Sequence, residues 1–270
     1  MDVAAYLDRI GYRGALDADA ETLRSLHVAH LLAVPFENLS IHRGEPIVLD
    51  DGELFDKVVR RRRGGFCYEL NGLFAALLRA LGFQVTMLSA QVMGRRGSFG
   101  PDFDHMALIV SLEERWLADV GFGDSFLEPM RLDERGVQEP RPRPYRLDAD
   151  GDRLVLLQRD EPGEWSVQYR FRLVPRVYAD YAEMCRFHQT SPESHFTRGR
   201  VCSLATADGR VTLSRDCLIL TRGGERHERQ LADEREVAEV LSEHFGFPAE
   251  RGAPRVGQGG GPATVRSHRR

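Results

Sequence analysis

The stretch Arg63-Gly-Gly-Phe-Cys-Tyr-Glu-Leu-Asn71 decides how the chain is interpreted, because a diglycine leads directly into an apolar helical pattern. The apolar positions after it, at helical spacing and ending before Gly82, are Leu70, Leu73, Phe74, Leu77, Leu78 and Leu81. Cys67 therefore falls in the first turn on the inward face, where a helix N-terminus favours a thiolate and lowers the pKa of a thiol. The pattern is typical of a structural core cysteine and also permits a reactive one.

Composition limits the class of protein. The 270 residues carry a net charge of −4, which gives no general attraction to nucleic acid or to an anionic membrane. The first residues lack the regions of a signal peptide, and no apolar run is long enough to span a bilayer. Cys67, Cys185, Cys202 and Cys217 do not suggest a disulfide scaffold, so we expect reduced thiols and a cytoplasmic protein. Lys57 is the only lysine, and nearly all basic charge is arginine.

The apolar pattern changes twice along the chain. Residues 1–82 predict a helical bundle that carries Cys67. Residues 83–178 predict an antiparallel all-β region, and residues 179–249 mix helix and hairpins. Residues 250–270 are rich in Gly, Pro and Arg with little to bury, which indicates a disordered tail. The expected fold class is therefore α+β, with three structured regions.

Individual elements follow from caps and turns. The predicted helices begin near 3, 23, 54 and 67, with a short one through Tyr181 and a last one from about Asp233 to Gly246. Hairpin turns are predicted at 113–115, 149–152, 207–209 and 222–224. His27 and His30 lie on or beside the apolar stripe of the second helix. No carboxylate or cysteine pattern accompanies them, so core histidines are favoured over metal ligands.

Two later strands supply the partners that a reactive cysteine needs. A nucleophilic thiol requires a base and a third group that holds the base in the right tautomer. His105 begins the strand His105–Val110, and Asp119 lies near the end of the next predicted strand. If the two strands form a hairpin, the start of one faces the end of the other. An apolar setting around Asp119 would make it a buried carboxylate that needs a partner such as an imidazole N–H.

Five motifs, in this order, resemble those of the arylamine N-acetyltransferases. They are Val34-Pro-Phe-Glu-Asn-Leu39, Arg63-Gly-Gly-Phe-Cys-Tyr-Glu-Leu-Asn71, His105-Met-Ala-Leu-Ile-Val110, Asp119-Val-Gly-Phe-Gly123 and Ser191-Pro-Glu-Ser-His-Phe196. The resemblance implies a helical bundle, a central antiparallel β-barrel and a C-terminal α/β lid, built around a Cys-His-Asp core like that of cysteine proteases. These three parts agree with the three regions above. Glu37 and Asn38 of the first motif are interpreted as structural.

The resemblance also implies a mechanism. Cys67 would be the nucleophile, His105 the base and Asp119 the group that orients His105. Acetyl-CoA would be the co-substrate, with no bound cofactor and no metal ion, and a small aromatic amine, hydrazine or N-hydroxyarylamine would be the acceptor. The residues expected to contact acceptor or CoA are Phe36, Phe66, Phe103, Gly121, Phe122, Gly123, His195 and Phe196. Asp124 departs from a common form of the family, and its charge is expected to alter CoA phosphate contacts or acceptor choice.

Other interpretations stay open on the sequence. An amide synthase of the same family would release an acyl or polyketide chain as an aryl amide or macrolactam. A hydrolase or a transglutaminase-like amidase would use the same Cys-His-Asp order, and an interaction protein would keep the site as a vestige. Cys185, His188, Cys202 and Cys217 fit no compact zinc site. Nucleic acid and membrane partners are not expected, and the oligomeric state, including a homodimer, is left open.

Overall fold

A computed structural model describes residues 1–94, 97–159 and 163–248, and the predicted tail at 250–270 lies outside them. The described chain is α+β, with the helices concentrated at the N-terminal end and two antiparallel sheets after them. The helices are α1 (Val3–Arg9), α2 (Ala20–Ala33), α3 (Leu39–His42), α4 (Asp51–Phe55), α5 (Cys67–Ala80), α6 (Tyr178–Thr190) and α7 (Glu234–Phe245). A π-helical turn extends α4 over Asp56–Arg60.

Capping residues set the ends of these helices. The Asp19 side chain accepts a hydrogen bond from the backbone N–H of Thr22 at the start of α2, and Asp233 does the same for Glu236 in α7. Helix α7 ends at Gly246, as predicted from the sequence, and Gly246 adopts the left-handed conformation. Helix α6 is longer than predicted from sequence, and His188 lies within it rather than in the loop that follows.

A seven-stranded antiparallel sheet forms the middle of the molecule, in the order β5-β4-β3-β2-β8-β7-β6. Its strands are β2 (Gln84–Val92), β3 (His105–Ser111), β4 (Arg115–Ala118), β5 (Met130–Arg131), β6 (Tyr145–Asp150), β7 (Arg153–Arg159) and β8 (Trp165–Arg176). Register shifts between Leu88 and Ala90 and between Leu156 and Leu157 bend the sheet.

The predicted barrel is not closed by strand pairing, since β5 and β6 stand at opposite ends of the sheet in the described chain. Gln138 connects these two edges instead. Its backbone pairs with Tyr145 in β6, at 2.8 Å in both directions. Its side-chain amide bonds the backbone N–H and C=O of Arg131 in β5, both at 2.9 Å. The sheet is therefore a curled half-barrel, joined through one glutamine side chain.

A five-stranded antiparallel sheet, in the order β1-β9-β10-β11-β12, includes residues from both ends of the chain. Its strands are β1 (Phe36–Glu37), β9 (Val201–Thr206), β10 (Gly209–Ser214), β11 (Cys217–Arg222) and β12 (Glu225–Gln230). The sequence predicted the β9–β10 and β11–β12 turns but not the pairing of β1 with β9, which joins segments 165 residues apart. The division into separate domains stays a prediction.

Helix α5 is the centre of the largest apolar core. Twelve of its fourteen residues are buried, including Leu70, Leu73 and Leu77. They pack in one cluster with Met106 and Leu108 of β3 and with residues of α1, α2 and α6. This packing brings the first turn of α5, where Cys67 lies, against the strand that begins with His105.

Candidate active site

The start of α5 is held by a side chain one turn into the helix. Glu69 Oε2 accepts a hydrogen bond from the Phe66 backbone N–H at 3.1 Å. Gly65 makes room for this carboxylate, because a Cβ there would lie 2.7 Å from Glu69 Cβ. Cys67 is the first residue of α5 and is 3% exposed. Its backbone N–H has no acceptor within the helix and is therefore available to another group.

His105 and Asp119 meet as the sequence predicted. In the β3–β4 hairpin Leu108 pairs with Ala118, so Asp119 follows the last paired residue of β4. His105 Nε2 donates to Asp119 Oδ2 at 2.7 Å, and both side chains are almost fully buried. Donation from Nε2 leaves Nδ1 of the neutral imidazole as the basic nitrogen.

Asp119 accepts three further hydrogen bonds. The donors are Tyr169 Oη to Oδ2 at 3.0 Å, Asn71 Nδ2 to Oδ1 at 2.9 Å and the Gly121 backbone N–H to Oδ1 at 3.0 Å. Burial raises the pKa of this carboxyl, but His105, Asn71 and Gly121 together lower it below its usual range. The group is therefore a buried carboxylate with both oxygens satisfied.

Asn71 links helix α5 to the segment that carries Asp119. It lies four residues after Cys67, on the same face of the helix. Besides Asp119, its Nδ2 donates to the Met106 carbonyl at 2.6 Å, and its Oδ1 accepts from the Val120 backbone N–H at 2.9 Å. The sequence contains Asn71 in its most informative stretch, and the helical spacing from Cys67 is the signal that could have found it.

His27 binds the backbone of Asp119. Its Nε2 accepts the Asp119 backbone N–H at 3.0 Å, and its Nδ1 donates to the Leu127 carbonyl at 2.7 Å. Burial lowers the pKa of His27 to about 4, so the ring is neutral with a fixed tautomer. The sequence correctly favoured a core histidine, but nothing local indicates that it touches Asp119, 92 residues away.

Cys67 lies against β3 and the segment after β4. A hydrogen bond from the Met106 backbone N–H lowers the pKa of the thiol, but burial raises it more, and Asp119 and Asp104 also raise it. The resting thiol pKa is therefore well above its ordinary value. This differs from the lowered pKa expected from the helix N-terminus alone, because desolvation outweighs it. A Cβ on Gly121 would lie 2.8 Å from Cys67 Cα, so only glycine fits there.

Aromatic rings lie beside His105. Phe122 stands edge-on to His105 at 5.2 Å, and Tyr169 lies 5.2 Å from it on another side. Phe196 contacts Phe36 at 6.2 Å and Phe66 at 5.5 Å. These contacts bring Phe36, Phe66 and Phe196 into one aromatic group.

The remaining predicted binding residues include His195, Phe103 and Gly123. His195 is exposed, and its ring lies tilted against that of Phe196, with the centroids 3.9 Å apart. Phe103 has a positive φ of 64°, and its carbonyl accepts the Tyr68 hydroxyl at 2.5 Å. Gly123 also has a positive φ, 98°, and lies beside Phe36.

Asp124 does not present an isolated charge. One of its oxygens lies 3.2 Å from Arg143 Nη2, and the other lies 3.3 Å from Arg210 Nε on strand β10. The pair with Arg210 joins the segment after Gly123 to the five-stranded sheet, and the pair with Arg143 joins it to the residues before β6. In the described parts of the chain, no group of three or more His, Cys, Asp or Glu side chains is arranged to hold a metal ion. Over the same residues no helix has the length and apolar content needed to cross a bilayer.

The chain is similar to known proteins over most of its length. Residues 19–253 match a family model described as N-acetyltransferase. An arylamine N-acetyltransferase of Mycolicibacterium smegmatis is 37% identical, and the match covers 92% of both chains. The solved structure of the Mycobacterium marinum arylamine N-acetyltransferase superposes with a TM-score of 0.86 at 38% identity, over 91% of this chain and 93% of that one. A second structure of that protein, in complex with CoA, gives 0.85 at 37% identity over 91% and 93%.

The fold and the comparisons define an acyltransferase. The chain belongs to the arylamine N-acetyltransferase family.

Proposed function

We propose that the protein transfers an acetyl group from acetyl-CoA to an arylamine, arylhydrazine or N-hydroxyarylamine through an acetyl-Cys67 thioester. The observation that carries this is the 2.7 Å hydrogen bond from His105 Nε2 to the buried Asp119 carboxylate, beside the first turn of α5. A related protein is known in complex with CoA, which supports acetyl-CoA as the co-substrate here.

The first half-reaction begins with proton transfer. His105 Nδ1 takes the proton of the Cys67 thiol, and Asp119 stabilises the imidazolium that forms. The thiolate attacks the carbonyl carbon of acetyl-CoA, and the bond from that carbon to the CoA sulfur breaks. His105 returns its proton to the CoA thiolate. In this proposal the Cys67 backbone N–H stabilises the oxyanion of the intermediate.

The second half-reaction regenerates the enzyme. The acceptor nitrogen attacks the acetyl carbon, the bond to Cys67 Sγ breaks, and the proton lost by nitrogen passes to His105 and then to the cysteine thiolate. Because CoA leaves before the amine reacts, the kinetics should be ping-pong. Because burial raises the pKa of the Cys67 thiol, the proposed mechanism relies on a base to form the thiolate.

Mass spectrometry of the intact protein tests the proposal. Acetyl-CoA alone should add one acetyl group, mapped to Cys67 by peptide analysis, and an aromatic amine should then remove it. Cys67→Ala should accept no acetyl group, while the matched variant Cys217→Ala, on the second sheet, should behave as the wild type. Wild-type protein that takes up a longer acyl thioester but not acetyl-CoA would overturn the proposal in favour of an amide synthase. Full activity of Cys67→Ala would overturn it outright.

A further inference from the structure

Asp104 is a second carboxylate beside the candidate nucleophile. It immediately precedes His105, and its side chain is 15% exposed. Besides burial, the charges of Asp119 and Asp104 both raise the pKa of the Cys67 thiol. The proposed mechanism uses Asp119 and leaves Asp104 without a role.

Helix α6 places an imidazole next to this carboxylate. His188 Nε2 lies 3.4 Å from Asp104 Oδ1, and the His188 side chain is 2% exposed. On the other side of the ring, Nδ1 lies 3.1 Å from Ser194 Oγ. That hydroxyl already accepts the Phe196 backbone N–H at 3.2 Å, so its own proton is free to donate to Nδ1. The tautomer that results carries its proton on Nε2, the ring nitrogen nearer to Asp104.

Two buried polar atoms on helix α6 have no hydrogen-bond partner in the described part of the chain. One is His188 Nε2, which lies within ion-pair distance of Asp104 but makes no hydrogen bond with it, and the other is the hydroxyl of Tyr181. Tyr181 is fully buried, and its ring packs 5.4 Å from Tyr68 and 5.3 Å from Phe103. Buried polar atoms without partners are rare in native proteins and each calls for an explanation. A ligand group that supplies the missing partners provides one.

The rings near these atoms suit an aromatic ligand. His188 lies parallel to Tyr68 at 6.1 Å and edge-on to Phe196 at 5.1 Å. Tyr68 and Phe66 flank Cys67 in sequence, so this group of aromatic rings begins next to the candidate nucleophile. Aromatic faces beside a carboxylate attract hydrogen-bond donors and cations, and they repel anions.

We propose that Asp104, His188 and Tyr181 form a polar recognition site for the acceptor, which favours aromatic amines carrying a second hydrogen-bond donor and disfavours those carrying a carboxylate. The inference rests on the proposed function, because it concerns the second substrate of the same reaction. Ser194 and Phe196 hold His188 in place, so the site joins the β3 strand to the segment after α6.

Acceptor selectivity of matched variants tests the inference. kcat/KM is measured with 4-aminophenol, 4-aminobenzoate and 4-methylaniline, which differ in the group opposite the amine. Asp104→Asn should raise kcat/KM for 4-aminobenzoate relative to 4-methylaniline by about ten-fold, since it removes one repelling charge. Tyr181→Phe should lower the 4-aminophenol to 4-methylaniline ratio by about five-fold, which corresponds to one lost hydrogen bond. Asp102→Asn, an exposed residue of the same loop, should leave both ratios unchanged.

A separate readout distinguishes this inference from the proposed function. Each variant is first treated with acetyl-CoA alone, and acetyl-Cys67 is measured by mass. Equal changes for all three acceptors, in proteins that still form acetyl-Cys67, would overturn the recognition site and leave the proposed function standing. Failure of the wild type to form acetyl-Cys67 would overturn the proposed function itself.

Discussion

The carboxylate of Asp119 is ionised in a place where a carboxyl would ordinarily be protonated. Desolvation alone disfavours its charge by several kcal/mol. Four donors compensate: the His105 imidazole, the Tyr169 hydroxyl, the Asn71 amide and the Gly121 backbone N–H. These donors lie on β3, on β8, on helix α5 and in the segment after β4, so the charge on Asp119 depends on the packing of α5 against the curled sheet.

Replacing Asp119 by Asn should reduce the rate of Cys67 acetylation by about 10³–10⁴-fold, the order found when a triad carboxylate becomes an amide. The NH₂ group of the new amide would face the hydrogen-bond donors that now bind the carboxylate. The neutral amide could not stabilise the His105 imidazolium by charge. Rapid-quench measurement of acetyl-Cys67 checks this, with circular dichroism and thermal unfolding to show that the variant is folded. A rate within a few-fold of wild type would mean that His105 acts without Asp119.

His27 makes folding stability depend on pH. Its pKa falls from an ordinary 6.5 to about 4 in the folded chain, so the unfolded chain binds more protons between these values. Stability is therefore lost as pH falls from about 6.5 towards 4, by on the order of 3 kcal/mol from this residue. His27→Gln should flatten the plot of unfolding free energy against pH in this window. The exposed His227→Gln should not change it.

What could be predicted at single residues depended on local signals. Cys67, His105 and Asp119 were predicted together from the motifs around them, and the structure shows the contact between His105 and Asp119. Tyr169 has no such signal, because it is one of several apolar residues in a long strand. It reaches Asp119 only because β8 lies two strands from β3 and the sheet curls. That curvature depends on register shifts that a period-two pattern does not record.

The start of α5 rests on a buried network of charges. Lys57 Nζ donates to Glu69 Oε1 at 2.7 Å and lies 4.0 Å from Glu37, which also accepts from Arg63 at 2.9 Å. Burial raises the pKa of both carboxyls. For Glu37, Lys57 and Arg63 outweigh that effect and the pKa is lowered, whereas for Glu69 burial prevails and the pKa is raised. Of the two carboxyls in this network, Glu69 is therefore the one whose ionised form is stabilised less.

Lys57→Met should lower the unfolding free energy by about 3–5 kcal/mol at neutral pH, since it leaves a buried carboxylate unpaired. Glu69 would then hold a proton that the unfolded chain releases, so the loss should be larger at pH 8 than at pH 5. Denaturant unfolding at both values measures this. Adding Glu69→Gln to Lys57→Met should restore part of the stability and remove the pH difference. If the loss of unfolding free energy is the same at both pH values, Glu69 does not take up a proton in Lys57→Met.

Strands, like single residues, could be predicted only where the sequence carries a local signal. Alternation and turn residues predicted β2 to β4 and β6 to β8 within a few positions. Strand β1 is only two residues long, and its partner lies in the last third of the chain. A segment that short carries no periodicity, so only the assembled fold reveals it as a strand.

Asn38 ties the N-terminal helices to the five-stranded sheet. Its Nδ2 donates to the carbonyls of Phe196 and Gly199 at 2.8 and 3.0 Å, and its Oδ1 accepts the Val201 backbone N–H at 2.7 Å. The sequence indicated a structural role for Asn38 within the helical region. The structure instead shows it reaching across the molecule to the segment that carries His195 and Phe196.

Asn38→Ala should lower the unfolding free energy by about 2–4 kcal/mol, because three backbone groups lose their partner. Hydrogen exchange should rise first in β9 and β10, with β2 and β3 still protected. Ser203→Ala, a nearby buried change on β9 that leaves Asn38 intact, serves as the control. Uniform exchange across both sheets would show that Asn38 is not the connection between them.

The burial of Lys57 also decides how the protein behaves among reactive acyl donors. Thioesters and activated esters acylate lysine amines without any enzyme, and each event removes a positive charge. Here the single lysine side chain is 8% exposed and its amine is bonded to Glu69, so the folded surface offers no lysine to attack. Acylation at Lys57 therefore requires the core to open. The Lys57 peptide, followed over time with a mild amine-reactive ester, reports how often the core around Lys57 is open.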